Sequence, residues 1–340
     1  KTCDFTRRGL DVFNEQFVTL QWATHEFRED HQKGAKREIP TIKNLNAYRK
    51  YLSKLIIRRV RDEPDVAPYF PKIKIEEVTH TVKWNNAHLL SYLQVAEEFK
   101  AWFDRQVAEG NKNSLVAILA RIGAVIAAAN NPCFPTKHSK GYYQTNTKEQ
   151  KLFELLKTEK AKKRKVIVFL DSPSQATRLQ RLCESANIQS IVLSGEVSAK
   201  IRHSELNQKF KTSDEFGVCF ATFGVAKYGL NIPEAETIIM YHRCWSYSDE
   251  SQAFFRVLRP QQIKDVTIHY LHLEGSIDEY MAQMVAFKRD AANSGLDYAE
   301  PSKNLSDFQH FDHIFYKFCS HLCKLYNVET RGRLIEILAS

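Results

Sequence analysis

Between residues 146 and 292 the chain repeats one pattern: a short apolar run of strand length, then a stretch with the spacing of an amphipathic helix, then another apolar run. Residues 166–170, 190–193, 216–221, 237–241 and 267–273 read as strands, and residues 175–186 and 199–210 as helices between them. Strands alternating with helices at this rhythm imply crossover units and a mainly parallel sheet. The expected fold is therefore α/β, with helices flanking the sheet and functional loops at the carboxyl ends of its strands.

The flanking regions read differently. Upstream, the apolar set Leu10, Val12, Phe13, Phe17, Val18, Leu20 and Trp22 has helical spacing, residues 28–38 read as a solvated loop, and residues 46–61 predict a helix halted by Pro64 and Pro68. Residues 72–82 alternate as a strand. Two further helices are expected over 87–108 and 114–129, the second stopped by Asn130-Asn131-Pro132, and residues 136–147 form a polar linker. The tail, residues 307–340, has helical spacing through Phe308, Phe311, Phe315, Phe318, Leu322 and Leu325. The chain is thus expected to divide at 1–88, 89–145, 146–292 and 293–340.

With 340 residues, 43% of them hydrophobic, the chain can bury a substantial core in about two domains, which argues against a small secreted module. Seven cysteines without regular pairing, no apolar run of membrane-spanning length and no signal-peptide pattern favour a soluble, reducing compartment and no membrane partner. The expected location is the nucleus, or a bacterial or viral-host cytoplasm. Lys and Arg outnumber Asp and Glu by 49 to 40, and the net charge of +9 suits a polyanionic partner, although a generic basic protein has the same balance. Because it begins at Lys1 rather than Met, the chain is expected to be a piece of a longer protein.

The most informative motif is Gln252-Ala253-Phe254-Phe255-Arg256-Val257-Leu258-Arg259-Pro260-Gln261-Gln262. On a helix, a spacing of three puts both guanidinium groups on one face, and Pro260 predicts a helix end just after Arg259. Phosphoryl transfer develops charge on the γ-phosphate oxygens, which an inserted arginine stabilises by ~10³ to 10⁵ in rate. An exposed amphipathic helix whose arginines pair with acids has the same spacing.

Taken in order, these segments resemble the carboxyl-terminal helicase lobe of the Swi2/Snf2 family within helicase superfamily 2. Val166-Ile167-Val168-Phe169 is similar to its first strand, and Leu193-Ser194-Gly195, with Arg202 and Phe210, to its next strand, glycine turn and helix. Residues 221–232 occupy the place of its Gly-rich loop, with Gly229 and Asn231, and Gln252, Ala253, Arg256, Arg259 and Gln262 match its Gln-Ala-x-x-Arg-x-x-Arg-x-x-Gln pattern. Residues 55–63, including Arg58, Arg59 and Arg61, are similar to a stretch near the end of the family's first lobe. Pro71-Lys72-Ile73 and residues 115–132 extend the resemblance, which spans about 52–292. Ala226-Lys227 in place of paired glycines and Pro260-Gln261 in place of Ile-Gly suggest a divergent microbial or viral member.

The resemblance implies a RecA-like sheet in 146–292, preceded by the end of a first lobe with a helical protrusion (1–88) and a helical insert with linker (89–145), and followed by a helical tail (293–340). It implies a DNA-dependent ATPase that translocates on double-stranded DNA. Arg256 and Arg259 are the implied catalytic fingers, and Gly229, Asn231, Gln252 and Gln262 would face the nucleotide. Ser194, Gly195, Thr222, Arg58 and Arg59 would face the DNA backbone. ATP and Mg are the implied cofactors, bound mainly by an upstream lobe, because the sequence contains no Gly-x-x-x-x-Gly-Lys-Ser/Thr loop and no Asp-Glu-x-His box. The isolated chain is therefore expected to hydrolyse ATP negligibly. A non-catalytic docking module is the main rival, supported by Ala226-Lys227 and opposed by the intact arginine pair. A strand-separating helicase is the other, opposed by the Arg58-Arg59 segment and the helical insert.

Weaker signals have ordinary explanations. His310, His313, Cys319 and Cys323 could hold zinc, but paired Cys-x-x-Cys knuckles are absent and cysteines four apart are common on helices. The run Lys157, Lys160, Lys162, Lys163, Arg164 and Lys165 could meet phosphates, act as a localisation signal or simply solvate a helix end. Trp84 and Trp102 read as core, Trp245 as packing for the loop that carries Gln252, and Cys183, Cys219 and Cys244 as small buried residues. The tail is a candidate surface for a protein partner.

Overall fold

The computed structural model describes residues 7–24, 36–42, 44–57, 59, 61, 63–108, 115–133, 142–212, 215–226 and 230–296. The chain divides into two compact units, Lys1–Ala67 with Ala286–Ser320, and Pro68–Val285 with His321–Ser340.

In the first unit, α1 (Arg7–Phe17) runs into β1 (Val18–Thr24), which pairs antiparallel with β2 (Lys36–Ile42), and α2 (Leu45–Leu52) follows. Phe13 and Phe17 pack against Tyr48 and Tyr51 with ring centroids 5.3 to 6.3 Å apart. The helical reading through Trp22 therefore fails at Phe17. From Val18 the chain is rich in β-branched and aromatic residues, Val18, Thr19, Trp22 and Thr24, which suits an extended chain. The solvated loop expected to reach residue 38 likewise gives way to β2 at Lys36. The helix expected over 46–61 stops at Leu52; Leu55, Ile56 and Ile57 beyond it are exposed, so no packed face supports further turns.

The second unit contains β3 (Ile75–Val82), α3 (Asn86–Ala108), α4 (Leu115–Asn130), α5 (Thr147–Ala161), β4 (Val166–Leu170), α6 (Pro173–Ser185), β5 (Ser190–Leu193), α7 (Ala199–Glu205), β6 (Val218–Thr222), α8 (Phe223–Ala226), β7 (Thr237–Met240), α9 (Tyr247–Phe254), β8 (Val266–Leu273) and the start of α10 (Ile277–Leu296). Its six strands form one sheet in the order β3-β8-β7-β4-β6-β5, and every pairing is parallel. All carboxyl ends thus share one edge.

Every residue of central β4 is buried, and alternate side chains enter opposite cores. Ile167 and Phe169 join Leu193, Cys219, Ile238, Val257 and Leu258 on one face. Val166, Val168 and Leu170 join Leu152, Leu156, Leu179, Cys183 and Tyr241 on the other. The helix expected over 199–210 continues from α7 as a π-helical segment, Leu206–Lys211, which buries Leu206 and Phe210.

Helix ends follow local chemistry. Asn146 and Glu149 form a capping box at α5, and the Ser172 side chain accepts from Gln175 N with Pro173 in the first turn of α6. After α5, Lys163 takes φ 55 and Arg164 N donates to Glu159 O at 3.0 Å, a left-handed stop. Lys148, at the start of α5, is wholly buried: its ammonium donates to Asp278 Oδ2 at 2.7 Å and to Asn130 Oδ1, joining α4, α5 and the first turn of α10.

One division needs correcting. β3 was expected within a separate segment, 1–88, yet it pairs with β8 from Ile75–Val266 to Val82–Leu273. Lys74 N donates to Asp265 Oδ1 at 2.7 Å, and Glu274 N to Val82 O at 2.9 Å, so both ends are fastened to β8's flanks. A boundary at residue 88 cuts through the sheet.

Candidate functional site

Because β5 and β6 are parallel neighbours with Leu193 opposite Ala221, Ser194, just past β5, lies beside Thr222, the last residue of β6. Both are buried. Ser194 O accepts from Arg202 Nη1 at 2.8 Å, and Arg202 also donates to Val197 O, which fixes the turn after β5 against α7. Gly195, Thr222, Gly224 and Asn231 line a cleft of about 740 Å³ together with the cationic or titratable residues Arg202, His203 and Lys211. A Cβ added at Gly195 or Gly224 would meet nothing within 4 Å. Their smallness is not demanded by the chain's own packing, and it leaves room for a ligand to approach the backbone closely.

Beside this cleft the arginine motif is mounted on a turn. α9 ends at Phe254 and residues 255–260 form tight turns, with Val257 N donating to Phe254 O and Arg259 N to Val257 O. The expectation that both arginines lie on one helix face is thereby corrected, and so is a helix end placed after Arg259. Pro260 supplies the reason: it has no N–H to donate to the carbonyl of Arg256, four residues earlier, and it disfavours a helical Arg259. The Arg256 carbonyl instead accepts from Ile232 N at 2.8 Å. Val257 and Leu258 are buried in the core and anchor the turn.

The two guanidinium groups have different surroundings. Arg256 Nε donates to Ala226 O at 2.7 Å, and burial, followed by the Arg259 charge, lowers its pKa. Arg259 Nε is buried with no acceptor among the described residues.

Other expected site residues fare unevenly. Asn231 is exposed at the cleft. Gln252 is exposed on α9, with its amide 3.4 Å from Ser248 Oγ. Gln262 is buried, donating to Ala235 O at 2.7 Å and accepting from Lys264 N at 3.1 Å, so both ends of its amide serve the loop before β8. Arg59 belongs to the first unit; it is paired with Asp65 and, at 3.0 Å, with Glu63, which raises its pKa. Gly229, Arg58, Lys227, the tail and its His310, His313, Cys319 and Cys323 set lie outside the described residues.

The basic run 157–165 lies before β4, at the amino edge of the parallel sheet. Lys162 pairs with Glu159, Arg164 with Glu159 and Glu236, and the buried Lys165 ammonium donates to Phe210 O at 2.6 Å. Trp84 donates to Glu274 O at 2.7 Å and packs on His88 and Tyr92. Trp102 lies under Arg121. Both tryptophans are engaged within the fold.

Sequence reasoning missed Glu250. This buried carboxylate in the first turn of α9 receives Arg243 Nε at 2.8 Å, Arg243 Nη2 at 2.9 Å and Cys244 N at 2.9 Å, holding the loop that follows β7. Its position among first-turn acids was the available signal. His242, in the same loop, accepts from Asp171 N at 2.8 Å, and burial takes its pKa down to about 3.

Residues 147–261 match the family model described as helicase conserved C-terminal domain. An uncharacterized ATP-dependent helicase of Mycoplasma genitalium is 23% identical over 261 residues, 75% of this chain and 24% of that protein. A putative ATP-dependent helicase/translocase of Bacillus subtilis is 23% identical over 289 residues, covering 81% of this chain. The chain spans 31% of that relative's length. Among solved structures, the Sulfolobus solfataricus SWI2/SNF2 ATPase core in complex with dsDNA shares 19% identity and a TM-score of 0.50, covering 72% of this chain and 50% of that one. The sheet and its flanking helices are the expected RecA-like α/β fold.

Proposed function

We propose that this chain is the carboxyl-terminal part of a Swi2/Snf2-type, ATP-dependent translocase of double-stranded DNA. The observation that carries the reading is an open cleft with Gly195, Thr222 and Gly224, tied through Ala226 to an arginine turn whose Arg259 Nε lacks an acceptor among the described residues. Ser194, Gly195 and Thr222 sit where one phosphodiester strand would track across the carboxyl ends of β5 and β6. Arg202 and Lys211 supply positive charge along it, and such contacts are largely independent of base sequence.

ATP with Mg, bound mainly by another lobe of the full-length protein, supplies the phosphoanhydride bond. The residues present fit one side of that group only. Arg259 offers a desolvated N–H to developing phosphate charge, and Arg256 lies three residues before it, whereas the sequence has neither a phosphate-cradling loop nor a magnesium-binding box. Opening and closing of two lobes would move the DNA-backbone contacts along the duplex.

The test is DNA-stimulated ATP hydrolysis by the full-length protein, comparing wild type with Arg259→Ala. Duplex-stimulated turnover that falls at least a hundredfold in the variant, with DNA still bound, supports the motor. Absent or unchanged turnover rejects it in favour of a docking module, and displacement of a paired strand would instead indicate a helicase.

A further inference from the structure

Arg256 grips two stretches of chain that line the cleft. Its Nε donates to Ala226 O at 2.7 Å, and its own carbonyl accepts from Ile232 N at 2.8 Å. Between these two fixed points lie Leu230 and Asn231, and just before them lie Gly224 and Val225; all four line the cleft. The side-chain bond and the main-chain bond come from one residue, so residues 226 and 232 keep a fixed relation to the turn that follows α9.

Arg259 sits on the same turn with different work. Val257 and Leu258, between the two arginines, are buried in the core and make the turn a stiff mount. Arg256 is engaged with the cleft segment, while Arg259 Nε has no acceptor among the described residues.

We propose that Arg256 is a positioning residue that clamps the cleft residues 224–226 and 230–232 to the arginine turn, and that Arg259 alone is the finger directed at nucleotide. This division of labour rests on the translocase reading above. Under it, the cleft segment and the base of Arg259 move as one piece, so a duplex seated in the cleft sets the position of the finger. Pro260 enables the arrangement: by withholding a helical N–H it leaves the Arg256 carbonyl available to Ile232.

The experiment uses the full-length protein and four variants, Arg256→Ala, Arg256→Lys, Arg259→Ala and Arg259→Lys. Duplex affinity is read by fluorescence anisotropy without nucleotide, and ATP turnover is read against duplex concentration. Losing a charged-donor hydrogen bond should make Arg256→Ala weaken duplex affinity, and raise the half-stimulating duplex concentration, by about tenfold or more. Arg256→Lys, whose ammonium can reach the same carbonyl, should recover most of both. Arg259→Ala and Arg259→Lys should bind duplex like wild type and lose turnover even at saturating duplex.

Wild-type duplex affinity in Arg256→Ala, or loss of turnover at saturating duplex that Arg256→Lys does not relieve, would overturn the clamp. Should Arg256→Ala fail to fold, Arg256→Lys against Arg259→Lys makes the same comparison. If the wild type shows no stimulated turnover, the motor reading and with it the finger role fall. The anisotropy arm still decides the clamp on its own.

Discussion

Lys148→Met should remove one half of a buried ion pair and strand the other. Lys148 Nζ lies 2.7 Å from Asp278 Oδ2, and the two side chains are 0% and 1% exposed. Burial by itself would raise the Asp278 carboxyl pKa. The ammonium, the Asn130 amide at 2.9 Å and the Leu273 N–H at 3.1 Å overcome it and hold the group below its ordinary value. After Lys148→Met the last two donors remain but the countercharge is gone. Breaking a buried pair from one side costs about 3–5 kcal/mol, and the surviving donors place this case near the lower end. At about 2–4 °C per kcal/mol for a domain of this size, Tm should fall by ~6–12 °C. Asp278→Asn should cost a similar amount. The double variant removes both charges while keeping an acceptor for Leu273 N, so it should recover about 2 kcal/mol of the summed loss. Urea and thermal unfolding followed by circular dichroism read all three. Additive losses, or a Lys148→Met shift below ~2 °C, would refute the reasoning. Because the folded pKa of Asp278 lies below its unfolded value, its contribution is present above the ordinary carboxylate range and is lost as pH falls through the folded value. Lys148→Met should flatten that acid limb.

Three further outcomes are expected. Burial takes the pKa of His242 down to about 3, and those of His269 and His272 down to about 4. The unfolded chain then binds more protons below about pH 6.5, so stability should be full above that pH and decline toward pH 4; equal urea midpoints at pH 7.5 and pH 5 would contradict this. Gln262→Ala should lower stability by about 1–3 kcal/mol by leaving Ala235 O and Lys264 N unpartnered, whereas an unchanged Tm with lost nucleotide affinity would place Gln262 at the cofactor. Gly195→Ala and Gly224→Ala should leave Tm nearly unchanged, since the added methyl meets nothing, yet weaken duplex binding several-fold; wild-type affinity in both would exclude close backbone approach.

The sheet was legible because its strands are buried on both faces. An apolar run such as Val166–Leu170 has no other stable place in a soluble fold, and the helices between the runs show their own periodicity. Ser194 and Thr222 could be placed because each lies at the carboxyl end of a strand, β5 and β6 respectively. The arginine turn was not legible in the same way. Ala253, Val257 and Leu258 satisfy helical spacing up to Pro260, and the long-range bond from Ile232 N to the Arg256 carbonyl, which helps hold the turn after α9, has no local signal. Gln262 was named by its place in a motif, and its bonds to Ala235 O and from Lys264 N, one of them long-range, were not legible there. β3 was read correctly as a strand and assigned to the wrong neighbours, since no local signal names a partner that distant. The switch from α1 to β1 at Phe17 was hidden by an apolar set that fits helical spacing across the boundary.

That distance bears on how the protein is made. Lys74 meets Asp265 across 191 residues, and at about 5–20 residues per second β3 leaves the ribosome roughly 10–40 s before β8 exists to receive it. β4, β6 and β7 can assemble in the interval, but β3 must wait, with Val78, Thr79, Thr81 and Val82 available to any other strand edge. Glu76 and Glu77 place charge at the start of the waiting strand, where it opposes such pairing. A nascent chain halted before residue 273 carries an incomplete β8, leaving β3 and the outer side of β7 without their full partner, and should self-associate during synthesis.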